Sequence, residues 1–185
     1  MKSKPTIAAS LVHRSDHPVT ERKPGSRASL QNALAFTRIL VVDDDSAVRD
    51  SLKDVLLSEG YLVATAANGQ QALDLVSRSS VDLVLLDLNM PVKNGWDTFE
   101  HLTREHPLIP IIIATARPNQ LFTAISAGVG ALLEKPMDIP VLIRTIEKLL
   151  AETSEQRLAR LAGQETDFHY KAAAATPENR RSTRH

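Results

Sequence analysis

The chain has 185 residues, 43% of them hydrophobic and 24% charged, with no Cys and a formal net charge of zero. That suffices for one ordinary domain with appendages, and it excludes a disulfide framework, a thiolate metal site and a thiol nucleophile. No apolar run approaches the roughly 20 residues of a membrane helix, and Ile7–Val12 is too short, and too soon followed by His13 and Arg14, to be a signal-peptide core, so the expectation is a soluble, cytoplasmic protein.

Residues 1–36 hold 6 Lys/Arg against 2 Asp/Glu, with Pro5, Pro18, Pro24 and Gly25. No helical or strand period survives there, and the segment reads as a flexible basic arm without the aromatic interleaving of a nucleic-acid binder. From Arg38 the pattern changes. Arg38–Val42 is a short β-branched run that stops at three aspartates. Val48, Leu52, Val55 and Leu56 then recur on one face of a helix that Gly60 ends. Tyr61–Ala66 predicts a second strand, and Asn68–Ser77 a second helix with Ala72, Leu73 and Val76 inward. Val81–Leu86 is apolar almost throughout, as a strand covered on both faces must be. A helix near Trp96–Glu105, a strand at Ile109–Ala114, a short helix near Gln120–Ala127, a strand at Ala131–Leu133 and a helix at Ile139–Ala151 complete the alternation. Five strand–helix units of this length imply an α/β fold, a doubly wound five-stranded parallel sheet with five helices, over residues 37–151. Residues 37–150 hold 10 Lys/Arg against 15 Asp/Glu, an acidic body. Beyond it, residues 152–185 read as a helical extension through Gln156, Leu158 and Leu161, frayed rather than coiled-coil, which Gly163 ends before a loose tail over Ala172–Ala175, Pro177 and Arg180–Arg181.

In an open parallel sheet, ligands bind outside the carboxyl ends of the strands. Asp43 and Asp44 end the first strand, Asp87 the third and Thr115 the fourth, and Lys135 follows the fifth. Three carboxylates, a hydroxyl and an ammonium thus converge on one edge. Crowded carboxylates repel unless protonated or neutralised by a cation. Oxygen donors without His or Cys suit a hard ion, Mg2+ best, whose open positions phosphate oxygens can fill. A cation and a lysine stabilise a phosphoryl group in flight, and a carboxylate can itself be the nucleophile.

The segments ILVVDDDSAVR (Ile39–Arg49), DLVLLDLNMPVKNG (Asp82–Gly95), IIIATA (Ile111–Ala116) and EKP (Glu134–Pro136) resemble, in order and register, the receiver domain of bacterial response regulators. The resemblance covers Arg38 to about Ala151 and implies the flavodoxin-like receiver fold. It implies that Asp87 is the phosphoacceptor, that Asp44 binds Mg2+ directly and Asp43 largely through water, and that the backbone carbonyl of Asn89 is a further ligand. It makes Thr115 the switch hydroxyl and Lys135 the partner of the phosphorylated Asp87, with a cis Lys135–Pro136 bond and with Pro91 and Gly95 shaping the adjacent loop. The donor it implies is a sensor histidine kinase or histidine phosphotransfer protein.

These residues also admit other readings. Asp87 alone could cap the following helix. A calcium loop beginning at Asp43 fails, because Val48 stands where Gly is required. His101 and His106, five apart, do not stack on one helix face and read as solvated; Trp96 reads as partly packed core. Haloacid-dehalogenase-like phosphatases carry a second Asp two residues past the nucleophile, where this chain has Asn89, so turnover of an external substrate is not expected. The chain departs from the family at Leu132, where an aromatic is common, and in a Thr115–Lys135 stretch about two residues short. Both changes favour the alternative of a phosphorylation-independent scaffold. With thirty-five residues after Leu150, no DNA-binding domain is expected. The expectation is a single-domain response regulator that signals to a downstream protein by contact.

Overall fold

A computed structural model describes residues 37–90, 95–117, 119–164 and 168–173. The predicted basic arm at 1–36, Pro91 and the tail from residue 174 onward lie outside the described residues. The strands are β1 (Arg38–Val42), β2 (Leu62–Ala66), β3 (Leu83–Leu86), β4 (Ile111–Thr115), β5 (Ala131–Glu134) and β6 (His169–Lys171). The helices are α1 (Ser46–Ser58), α2 (Gly69–Arg78), α3 (Gly95–Glu105), α4 (Leu121–Ser126), α5 (Ile139–Ala151) and α6 (Ser154–Leu161).

All strands are parallel, in the order β2-β1-β3-β4-β5-β6. The period of two along each strand sorts the core into two layers. Ile39, Val41, Leu83, Leu85, Ile112 and Leu133 pack with Leu52 and Leu56 of α1 and Leu142, Ile146 and Leu149 of α5. Leu40, Val42, Val84, Leu86, Ile113 and Leu132 pack with Ala72 and Val76 of α2, Phe99 and Leu102 of α3, and Ala124 of α4. A sheet covered on both faces needs apolar residues at successive positions, which is why β3 and β4 are buried throughout.

Local sequence sets the helix ends. Asp45, the third aspartate, caps α1 by accepting the Ala47 and Val48 amides at 2.8 and 3.3 Å. Asn68 caps α2 and Asp138 caps α5 in the same way. Gly60 takes φ +92° past the end of α1, a left-handed turn that a residue with a Cβ rarely adopts.

The C-terminal segment differs from the sequence reading. The sheet has six strands because His169–Lys171 pairs in parallel with β5, covering an edge that five strands would leave open. Residues 154–161 are a separate, docked helix rather than a frayed continuation of α5. Glu152 and Thr153 are extended, and a Thr153–Gln156 capping box restarts the helix. Buried Arg160 pairs with Glu152 and donates to the Gly128 carbonyl at 3.2 Å. Arg157 reaches the carbonyls of Leu108 and Leu149 at 2.6 and 2.8 Å. A cation inside α6 finding its partners in α5 and in the turn before β5 leaves no trace in helical periodicity.

Candidate functional site

The chain leaves β1 outward to β2 and returns across β1 to β3, so the sheet reverses direction between β1 and β3. At such a reversal the connections diverge and leave a crevice at the carboxyl ends of the two strands. Asp43 follows β1 and Asp87 follows β3, and their backbones are tied into the sheet, Asp43 N–H to the Ala66 carbonyl and Asp87 N–H to the Val42 carbonyl. Both carboxylates are at least 95% buried, whereas Asp44 is exposed at the rim.

Lys135 crosses the mouth of this crevice. Its Nζ donates to Asp43 Oδ2 at 2.6 Å and to Asp87 Oδ2 at 3.1 Å. The remaining oxygens are also held: Asp43 Oδ1 accepts the Asp45 amide at 3.0 Å, and Asp87 Oδ1 accepts the Asn89 amide at 3.1 Å. Burial alone would push the Lys135 ammonium to lose its proton. The hydrogen bond to Asp43 and the charges of Asp87 and Asp43 outweigh it, and the pKa stands above the ordinary lysine value. The Lys135–Pro136 bond is cis, as the resemblance implied.

Thr115 is fully buried at the end of β4; its Oγ1 accepts the Arg117 amide at 3.1 Å, and its carbonyl accepts the Lys135 amide at 2.9 Å. Thr115 and Lys135 are therefore held side by side by main-chain bonds between β4 and β5. Gly95 explains itself by proximity: a Cβ there would collide with the Leu88 Cα and stand 2.5 Å from the Asp87 carbonyl oxygen, so only glycine lets α3 begin against the Asp87 loop.

The structure thus brings together the six candidate phosphoryl and metal residues: Asp43, Asp44, Asp87, Asn89, Thr115 and Lys135. One ligand oxygen from each of Asp43, Asp44 and Asp87 lies within 4.8 Å of the other two. Three carboxylates at that separation, two of them buried, with oxygen donors alone, fit a hard divalent cation such as Mg2+. His101 stands apart, with its Nδ1 at 3.2 Å from the Asp97 carbonyl on its own helix.

Three further residues brace the site. Arg49 on α1 donates to the Asp43 carbonyl at 2.6 Å, bracing the carboxylate loop from behind. Arg117 Nε bonds the Asn89 side chain at 3.2 Å, joining the loops after β3 and β4 across the mouth. Glu134, beside Lys135, accepts the Tyr170 hydroxyl at 2.8 Å and the Ala173 amide at 3.1 Å, and this bond holds the Tyr170 phenol above its ordinary pKa. Arg49 lies one helical turn past the aspartates, which could have flagged it. Nothing in the sequence pairs positions 134 and 170.

Comparison with known proteins agrees with this geometry. The profile of the response regulator receiver domain matches residues 39–147. The transcriptional regulatory protein CpxR of Klebsiella pneumoniae is 41% identical over 135 residues, 71% of this chain and 57% of that protein. Response regulator MprA of Mycobacterium sp. (strain KMS) is 39% identical over 119 residues, 63% of this chain and 52% of that protein. The chain spans about half the length of the curated relatives it matches. A CheY-like receiver domain of Methanospirillum hungatei superimposes with a TM-score of 0.61 at 31% identity, over 65% of this chain and 98% of the other. Response regulator TrrA of Thermotoga maritima, solved in complex with Mg(2+)-BeF, gives 0.58 at 32% identity, over 62% and 99%. With the acidic crevice, the lysine bridge and the matched profile in agreement, the chain belongs to the response regulator receiver domain family.

Proposed function

We propose that this chain is a phosphoryl-accepting signalling switch, with Asp87 as the acceptor and with output by contact with a downstream protein. The observation that carries the reading is the Lys135 ammonium shared between buried Asp43 and Asp87. A fixed cation stands where a phosphoryl group on Asp87 would place its new negative charge.

The donor is a phosphohistidine on a sensor kinase or phosphotransfer protein in the cytoplasm. The P–N bond breaks, the imidazole leaves with the bonding pair and takes up a proton, and a P–O bond forms to an Asp87 carboxylate oxygen. Asp43, Asp44, Asp87 and the Asn89 carbonyl would hold Mg2+, which when bound neutralises the crowded carboxylates and the charge on the phosphoryl oxygens. Lys135 then pairs with the phosphoryl group, and the buried Thr115 hydroxyl donates to one of its oxygens. Attack by water on phosphorus returns the carboxylate and inorganic phosphate. No external substrate is turned over.

Intact mass after incubation with Mg2+ and phosphoramidate tests the reading. One added phosphoryl group is expected, lost on Mg2+ removal and in Asp87→Asn. A second reading, a receiver-like scaffold that works without phosphorylation, is favoured by Leu132, buried where the family commonly has an aromatic. It takes the lead if no adduct forms with either the small donor or kinase-containing lysate.

A further inference from the structure

Tyr170 and Ala173 of the C-terminal segment contact Glu134, the residue next to the lysine of the acidic site. Glu134 spends both carboxylate oxygens on this segment, Oε1 on the Tyr170 hydroxyl and Oε2 on the Ala173 amide. Lys135, the next residue, bridges Asp43 and Asp87. Glu134 is also in register with Thr115 across the β4–β5 ladder, and the Lys135 amide bonds the Thr115 carbonyl. The main chain that carries the grip on β6 is therefore the same stretch that carries the lysine.

The two parts of the C-terminal segment are held with different strength. A buried arginine, an ion pair and close backbone packing against Gly128 fix α6. β6 has three residues in register with β5, and Tyr170 and Lys171 are exposed. So short a strand cannot hold itself by ladder bonds alone, and its side-chain anchor decides its occupancy. A cavity of about 350 Å3, lined in part by Glu134, Met137, Val141 and Tyr170, lies between the segment and the body of the fold.

We propose that His169–Ala173 is a latch on the β5 edge that phosphorylation of Asp87 releases. The inference rests on Asp87 being the phosphoacceptor. When Lys135 turns from Asp43 to a phosphoryl group, its main chain and that of Glu134 shift together. Because both Glu134 oxygens are already engaged, the shift can only loosen the grip. The direction of coupling is fixed by that saturation: the charged site and the closed latch compete for one short stretch of β5.

Hydrogen–deuterium exchange on the full chain, with intact mass read on the same sample, tests the latch. In adduct-bearing protein, exchange over residues 169–173 is expected to rise on the order of tenfold, while Ser154–Leu161 stays unchanged. Tyr170→Phe, which deletes only the hydroxyl, is expected to raise exchange over 169–173 without any adduct. By reciprocity it also tightens binding of beryllofluoride with Mg2+, an equilibrium stand-in for the phosphoryl group, several-fold. Full adduct with unchanged exchange over 169–173 overturns the latch and leaves the phosphoacceptor intact. An unchanged beryllofluoride affinity in Tyr170→Phe overturns it as well. Absence of any adduct overturns the phosphoacceptor reading and takes the latch with it.

Discussion

Two edges of the sheet show opposite ways of using charge. At the carboxyl ends of β1 and β3, three carboxylates gather and only two of them, Asp43 and Asp87, share one lysine, so charge is left uncompensated and ready for a cation and a phosphoryl group. At the turn before β5, Arg160 and Arg157 share Glu152 and a set of carbonyls, so each cation has its acceptors and serves to dock α6. The first arrangement is costly for stability and useful for chemistry. The second is structural. Removing a charge should therefore have opposite consequences at the two edges, and that contrast can be broken experimentally.

The largest effect is expected at the docked helix. Arg160→Ala strips the partly buried Glu152 of its nearer partner and leaves Arg157 at 3.7 Å. We expect a loss of about 3 kcal/mol, at the low end for breaking a buried pair, with adduct formation at Asp87 retained. Urea unfolding reads the first and intact mass the second; an unchanged midpoint would mean that α6 is not held by this pair. Gly128→Ala comes next. Gly128 has φ +71°, and a Cβ would lie 2.8 Å from the Arg160 carbonyl oxygen and 2.9 Å from the Leu161 Cα, both backbone. Strain and crowding together should cost about 2 kcal/mol, again by urea unfolding and again without loss of the adduct.

At the acidic edge the sign reverses. Asp44→Asn removes the exposed member of the carboxylate cluster, so we expect a gain of about 0.5 kcal/mol in stability. Mg2+ affinity should fall on the order of tenfold, because cation affinity follows the ligand charge count. Trp96, the sole tryptophan of the chain, begins α3 beside the Asp87 loop and gives a fluorescence readout of the titration. A loss of stability in Asp44→Asn would break the contrast.

The smallest effect concerns Tyr61, which is buried with its hydroxyl lacking a hydrogen-bond partner among the described residues. Burial, then the charges of Glu147 and Glu59, push its phenol up to about 12. The folded chain keeps this proton where the unfolded chain loses it, so stability falls as pH rises from about 10 to 12. Lys135, also raised, contributes stability that is full below 10.5 and is lost as pH climbs through its folded value. Tyr61→Phe should leave stability at neutral pH within about 1 kcal/mol and flatten part of the alkaline decline, measured as melting temperature against pH. Lys135→Met should flatten the rest; an unchanged slope in both variants would contradict the assigned directions.

What could be read from the sequence follows from the kind of interaction involved. The five core strands, the five helices over residues 37–151 and the convergence of the candidate residues on one sheet edge were legible. Apolar periodicity reports which face a segment buries, and a parallel sheet puts its strand ends, hence Asp43, Asp87, Thr115 and Lys135, on one edge whatever the details of packing. Only the tertiary structure decided the rest. It placed Lys135 between Asp43 and Asp87, braced Asp43 with Arg49, docked α6 through Arg160, and turned His169–Lys171 into a sixth strand. A three-residue strand carries too little period to be seen, and it exists because a neighbouring edge and one glutamate are there to hold it. Local pattern encodes burial; a pairing such as Glu134 with Tyr170, 36 residues apart, exists only once the chain has folded.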